Sequence, residues 1–135
     1  MNGYHIDLER ATLENNNFRR VLFTAHHSQL VLMSIPAGEE IGEETHHLDQ
    51  FIRVEAGTAE AHLDGETVTL TDGHAIVIPA GVRHNVRNVG TDDVKLYSVY
   101  SPAEHKDGTV HATRADALAG EEHFDGVVSA GVPTV

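Results

Sequence analysis

The sequence predicts an all-β protein, built as an antiparallel sandwich or barrel. Two observations support this class. Eight or nine short segments alternate apolar and polar residues with a period of two, and turns rich in Gly, Pro or Asp separate them. Helical periodicity is lacking before residue 110. Closely spaced short strands of this kind are typical of sandwiches and barrels, and 135 residues are enough for one domain with its own core.

The strands follow one another from residue 19 onward. The Pro36–Gly38 turn ends the second strand, and an acidic loop over 39–44 leads to the third. Asp64–Gly65 predicts a tight hairpin between the fourth and fifth. The expected strands are 19–24, 28–35, 50–55, 59–63, 67–70, 75–78, 84–88 and 94–100. Their alternation places these apolar side chains inside: Ile52, Val54, Val68, Leu70 and Val86.

The two ends of the chain look different from the strands. The polar run at 14–17 predicts a loop. Thr113–Ala119 predicts a short helix with Thr113 as its N-cap and Asp116 three residues later. The stretch after it, 120–135, is either disordered or packs as an edge strand on a partner subunit.

Composition excludes several classes of function. There is no cysteine, so disulfides, thiolate metal sites and a cysteine nucleophile are excluded. The formal net charge of −12 opposes binding to nucleic acid or an anionic membrane. The first ten residues carry charges where a signal peptide needs an apolar run, and no membrane-spanning apolar stretch occurs. We therefore expect a cytoplasmic protein.

One motif organises the second half of the chain. The segment GHAIVIPAGVRHNVRN has a corner at Pro79–Gly81, after which His84 shares a strand face with Val86. His84 is then either an inward metal ligand or a core histidine bonded to a carbonyl. The fixed positions of the motif are Gly73, Pro79, Gly81, His84 and Asn88.

At each of those positions the motif resembles the second conserved motif of the cupin superfamily. The resemblance implies a double-stranded β-helix (a jelly-roll barrel) over about 18–101, a tail over 102–135 with the short helix, and a homodimer. The first cupin motif is matched less well. Aligning Gly57 with its terminal glycine puts Gln50 at the usual Glu position, and His46 and Glu44 at the two His positions.

The resemblance implies a metal site formed by Glu44, His46, Gln50 and His84. Positions 44, 46 and 50 have the same parity, so they share one face if they belong to one strand. Two imidazoles and a carboxylate leave open positions, an arrangement favoured by non-haem Fe(II) and tolerated by Mn, Ni or Zn. The Gln50 amide oxygen would be a weak fourth ligand. His62 lies on the polar face of its strand and is expected at the surface.

The tail contains two candidate catalytic residues. The chain resembles small single-domain cupins over about 12–117, including a tail with His105 and His111. These histidines could fold over the barrel mouth and supply an acid/base group, or they could cap strands and face water.

The leading hypothesis is a small metalloenzyme of dioxygenase or isomerase type, acting on a small oxygen-bearing organic substrate. The alternatives are a non-catalytic module that binds a small ligand and a protein with a relic site. A sugar phosphate is disfavoured as substrate because the identified inward positions are apolar, whereas the arginines at 53, 83 and 87 point outward.

Overall fold

The computed structural model describes residues 1–120 and 122–134. In this part of the chain, antiparallel strands form a six-stranded sheet, in the order β6-β3-β8-β2-β1-β9, and a three-stranded sheet, in the order β5-β4-β7. The elements are α1 (Leu8–Glu14), β1 (Arg19–Thr24), β2 (Gln29–Ile35), β3 (Asp49–Ala56), β4 (Ala59–Leu63), β5 (Glu66–Leu70), β6 (Ala75–Ile78), β7 (His84–Asn88), β8 (Val94–Ser101), β9 (Val110–His111) and α2 (Arg114–Ala119).

The core lies between the two sheets and consists of the inward residues of alternating strands. Ile52 and Val54 of β3 are fully buried, and Ala61 and Val86 cover them from the smaller sheet. The central strands β2 and β8 pair without a break from Gln29–Tyr100 to Ile35–Val94. This two-layer, all-β arrangement confirms the predicted fold class, a double-stranded β-helix.

One end of the large sheet is polar although it is buried. Tyr100 is paired with Gln29 on one side and with Gln50 on the other. The three side chains are 2 %, 1 % and 3 % exposed, respectively. A buried polar row needs internal partners, so this end of the barrel differs from its apolar middle.

The segment 39–46 forms the rim of the smaller sheet. Its backbone pairs with β7: Ile41 N donates to Val86 O at 2.9 Å, and Glu44 and His84 exchange both backbone hydrogen bonds at 2.8 and 2.9 Å. The expectation that positions 44, 46 and 50 belong to one strand is therefore wrong, because β3 begins only at Asp49. Residues 44 and 46 reach the site along β7 instead.

Most predicted strands lie within one or two residues of the observed ones, and α2 is capped as predicted. The side chain of Thr113 accepts from Asp116 N, and Asp116 accepts from Thr113 N. The predicted inward position of Val68 is wrong, since this residue is 44 % exposed on the edge strand β5. Alternation predicted the correct strand there, but too little of the opposing sheet covers it.

Helix α1 was not expected from the sequence. Asp7 caps it by accepting from Arg10 N, and Arg10 Nε lies 2.9 Å from Glu14 Oε1 one turn later. Only Thr12 of this helix is buried. With one buried position, α1 has too narrow an inward stripe to produce a readable helical period.

The described part of the C-terminal stretch packs on its own chain. Ser129 N donates to Thr24 O at 2.9 Å, and Ser129 Oγ donates to Asp107 Oδ1 at 2.7 Å. An isolated bridge joins His123 to His105. Among the described residues, no helix is long and apolar enough to span a membrane.

Candidate metal site

Three of the four predicted ligands meet at the polar end of the barrel. One ligand atom each from Glu44, His46 and His84 lies within 4.8 Å of the other two. His84 is buried at the start of β7, and the other two side chains are half-buried. The pairing of 44 with 84 sets this geometry, and Gly81 N fixes the loop by donating to the carbonyl of His46 at 2.8 Å.

Both imidazoles turn a ring nitrogen toward this point. His84 Nδ1 lies 2.9 Å from Val82 O, so Nδ1–H donates to that carbonyl and Nε2 is the nitrogen left for another partner. His46 Nε2 lies 2.6 Å from Glu44 Oε2. That approach falls outside hydrogen-bond geometry, and the buried Nε2 has no other partner. Two polar atoms that lie this close without a well-aligned hydrogen bond have the arrangement expected of two ligands of one metal ion.

Gln50, the fourth predicted ligand, lies on the buried polar row beside these residues. Its Nε2 donates to Ser98 Oγ at 3.3 Å and to the Tyr100 hydroxyl at 3.2 Å. Its Oε1 is buried and lacks a partner. The Tyr100 ring packs edge-on against His46 with centroids 6.0 Å apart, which places Gln50 next to the cluster.

The charges of Glu44 and His46 support each other. Burial opposes ionisation of Glu44, but contact with His46 and the charges of Arg19 and His84 outweigh it, so its pKa lies below the usual value. Burial likewise lowers the pKa of His46, but Glu44 and then Glu104 outweigh it, and the net pKa is raised. A divalent cation would compete with the His46 proton for this position.

The two candidate catalytic histidines occupy different places. His105 lies in the wall of the main cavity, 8 % exposed, with its ring edge-on to Tyr100 and its Nε2 unpartnered. Burial, followed by the charges of Arg19 and His46, lowers its pKa to about 2. His111 lies in β9, where Nε2 is 3.1 Å from Gly120 O, and it lines a second, smaller cavity. The structure thus brings only His105 to the site.

A cavity of about 350 Å³ opens onto Glu44 and His46. Arg19 and Glu104 also line this cavity, although the sequence did not identify either of them as a site residue. Arg19 shares parity with the buried Val21, a signal that could have placed it inside. Glu104 belongs to the loop after β8 and no sequence pattern indicates its position, yet its Oε2 lies 3.6 Å from His46 Nδ1.

The donor set fits a divalent transition metal. Two imidazole nitrogens and one carboxylate converge, an amide oxygen lies beside them, and two of these groups have orphaned buried atoms. Such mixed nitrogen and oxygen sets suit Fe, Mn, Ni or Zn, and three protein ligands leave room for a substrate.

Comparison with known proteins identifies the family. The family model described as "Cupin domain" matches residues 31–100, which include all four predicted ligands. The chain belongs to the cupin family. Cupins commonly bind metal, and the Glu44, His46 and His84 cluster of this cupin is a possible metal site.

The chain has relatives in bacteria and in a virus. The chain is 46 % identical to YrkC of Bacillus subtilis over 87 % of its own length and 67 % of that protein. It is 45 % identical to a protein of Acanthamoeba polyphaga mimivirus over 82 % of its length and 72 % of that protein. The crystal structure of BH2720 from Bacillus halodurans has a TM-score of 0.85 at 46 % identity, covering 87 % of this chain and 94 % of that one.

Proposed function

We propose that this cupin is a small metalloenzyme, of dioxygenase or isomerase type, that acts on a small oxygen-bearing organic substrate. The observation that carries the proposal is the convergence of Glu44, His46 and His84, with ligand atoms within 4.8 Å of one another. We assign a divalent Fe, Mn, Ni or Zn to these three residues, with Gln50 Oε1 as a weak fourth ligand.

When bound, the metal supplies a Lewis acid for a chelating oxygen substrate, and iron also supplies chemistry with O₂. The chain prepares the ligands. Val82 O holds the Nδ1 proton of His84 and so directs its Nε2 toward the cluster. Glu104 Oε2 lies 3.6 Å from His46 Nδ1, so its negative charge faces the second imidazole without a direct hydrogen bond.

Two further groups beside the cluster have settled protonation states. Burial raises the pKa of Tyr100, so its hydroxyl stays protonated and can donate a hydrogen bond. His105, with its lowered pKa, stays neutral and can accept one at its unpartnered Nε2. A donor and an acceptor beside the metal position would orient a polar group that binds there.

The same state of His105 supports an alternative, a non-catalytic cupin module that binds a small ligand. A group with a pKa of about 2 is a poor general acid or base near neutral pH. The two functions are separated by turnover: the enzyme requires metal-dependent conversion of a small keto or enol compound, whereas the module binds it unchanged.

Metal content tests the proposal directly. Elemental analysis of protein purified without chelator or nickel resin should find about one Fe, Mn, Ni or Zn per chain, and His84→Ala should lower that occupancy at least about tenfold, because a ligand is lost. The matched control is His62→Ala. His62 lies on β4 in contact with Thr67 and Glu60, away from the cluster, and its loss should leave the metal in place.

A wild type that takes up no metal even after reconstitution would overturn the proposal. A fully loaded His84→Ala protein would contradict the assignment of the ligands. Circular dichroism of both variants checks that the barrel has formed.

A further inference from the structure

Arg19 is a buried cation with no counter-ion among the described residues. Its side chain at the start of β1 is part of the cavity wall, and the residue is 9 % exposed. Its Nε is buried without a hydrogen-bond partner, and the guanidinium lies over the Phe18 ring, 5.3 Å from the ring centroid. No carboxylate of the described chain lies within ion-pair distance of it. A buried charge without a partner is costly, so proteins keep one where a ligand completes it.

The neighbouring carboxylates are occupied elsewhere. The charge of Arg19 helps to lower the pKa of Glu44, so the two groups are close. Glu44, however, belongs to the metal cluster. Glu104 lies between His46 Nδ1 and His123 Nδ1, at 3.6 and 3.5 Å. Neither carboxylate is free to neutralise Arg19.

A second guanidinium lines the same cavity. Arg114 Nε donates to the carbonyl of Ile41 at 3.2 Å. Its terminal nitrogen packs where a side chain at position 42 would lie, 2.9 Å from the Cβ that Gly42 lacks. Gly42 has φ +111°, so both its backbone and its lack of a side chain suit glycine. This packing holds Arg114 at the cavity, and no carboxylate among residues 1–120 and 122–134 forms an ion pair with it.

Charge balance then indicates the ligand. A divalent metal held by one carboxylate and neutral groups keeps one positive charge, and Arg19 adds a second beside it. A small anion that chelates the metal through oxygen and pairs with Arg19 would offset part of this positive charge. Because the walls also carry Glu43, Glu104 and Glu122, a singly charged carboxylate suits this cavity better than a phosphate dianion.

We infer that Arg19 binds the carboxylate of the substrate, and that the protein acts on small 2-oxo or 2-hydroxy carboxylic acids. The planar guanidinium matches a carboxylate with two parallel hydrogen bonds. The cavity of about 350 Å³ accommodates a molecule of this size. This inference rests on the proposed metal site, which would hold the other oxygens of the same molecule.

The test uses Zn²⁺-loaded protein, which is diamagnetic, and pyruvate as the probe. The Nε–Hε signal of Arg19, identified by its loss in Arg19→Gln, should shift and saturate during an NMR titration with pyruvate. Pyruvamide, the neutral amide, should bind at least about tenfold more weakly, as should pyruvate to Arg19→Gln, because a charged hydrogen-bonded pair is lost. Arg20→Gln changes the exposed neighbour on β1 and should bind pyruvate like the wild type.

Zinc content is measured on each sample, which keeps the two proposals separate. A wild type without zinc overturns the metal site and this inference with it. Zinc-loaded protein overturns this inference alone if pyruvate leaves the Arg19 signal in place or if Arg19→Gln binds pyruvate with unchanged affinity. Tighter binding of inorganic phosphate than of pyruvate would overturn the assignment to carboxylates. If Arg19→Gln does not fold, Arg19→Lys replaces it, since it keeps the charge but loses the two-bonded geometry and should also weaken pyruvate binding.

Discussion

Two cations are buried to the same extent on the large sheet, and their surroundings are opposite. Lys95 of β8 is 8 % exposed, and Arg19 of β1 is 9 % exposed. Lys95 Nζ donates to Asn15 O at 2.6 Å and to Asn16 Oδ1 at 3.1 Å. It also donates to Ser34 Oγ at 2.9 Å. Arg19 Nε is buried without a hydrogen-bond partner, and the guanidinium contacts only the face of the Phe18 ring among the described residues.

This difference distinguishes Lys95, whose charge stabilises the fold, from Arg19, whose charge is available to a ligand. Lys95 ties the loop after α1 to the sheet, and each of its ammonium protons has an oxygen to bind. Arg19 lies among other unpartnered atoms, His46 Nε2, Gln50 Oε1 and His105 Nε2. Because an unmet buried polar group costs free energy, a cluster of them at one cavity marks the place that a ligand completes.

The largest effect on stability is expected at Lys95, the buried cation whose hydrogen bonds are all made. Lys95→Met should lower the free energy of unfolding by about 3 kcal/mol, because the oxygens of Asn15 and Ser34 would stay buried without their donor. Urea denaturation followed by circular dichroism measures it. Lys106→Met replaces the other lysine of the chain, which is exposed, and should change the free energy of unfolding little. Equal stability of the two variants would contradict the structural role of Lys95.

A smaller, pH-dependent effect is expected at His105 in the metal-free protein. Its pKa is about 2 in the folded chain and 6.5 as the reference value for the unfolded chain. The unfolded chain alone therefore binds this proton as the pH falls from 6.5 toward 2, and stability is lost over that window. Two pH units below 6.5, the loss should approach about 3 kcal/mol.

The variant His105→Asn isolates this contribution. It should be less stable than the wild type at neutral pH, and it should lose less stability on acidification because it has no imidazole to protonate. Urea midpoints at a series of pH values provide the comparison. Parallel pH profiles for wild type and variant would show that His105 is not held neutral.

The smallest effect on stability is expected at Arg19, the buried cation whose Nε lacks a hydrogen-bond partner. Arg19→Met should leave the free energy of unfolding of the metal-free protein unchanged or raise it by about 1 kcal/mol, because removing an unpaired buried charge costs nothing in lost bonds. Thermal unfolding beside Arg20→Met, which alters the exposed side of the same strand, gives the reference. A loss as large as that of Lys95→Met would show that Arg19 has a structural partner.

Much of the barrel could be predicted from the sequence. The strands 19–24, 75–78 and 84–88 have the predicted limits, because period-two alternation and turn residues act over a few neighbouring positions. The local cap of α2 was readable for the same reason. The short helix α1 was missed, since only one of its residues is buried.

The candidate metal site could be predicted only in part from the sequence. The spacing from Gly73 to Asn88 placed His84 at a corner and facing inward, and the structure shows it buried there. Glu44 and His46 were named for a reason that was wrong in detail, because they do not continue β3 but run beside β7. Metal binding by these residues stays a prediction until occupancy is measured.

By itself the sequence determined the strands, their turns and the set of potential ligands, because these depend on residue type and local spacing. Only the tertiary structure decided which side chains share one cavity. Arg19, His46 and Glu104 are far apart in the chain and meet because β1, the rim beside β7 and the loop after β8 end at the same mouth of the barrel. Whether a buried charge is satisfied depends on such distant partners. That is why the difference between Lys95 and Arg19 is visible only in the folded protein.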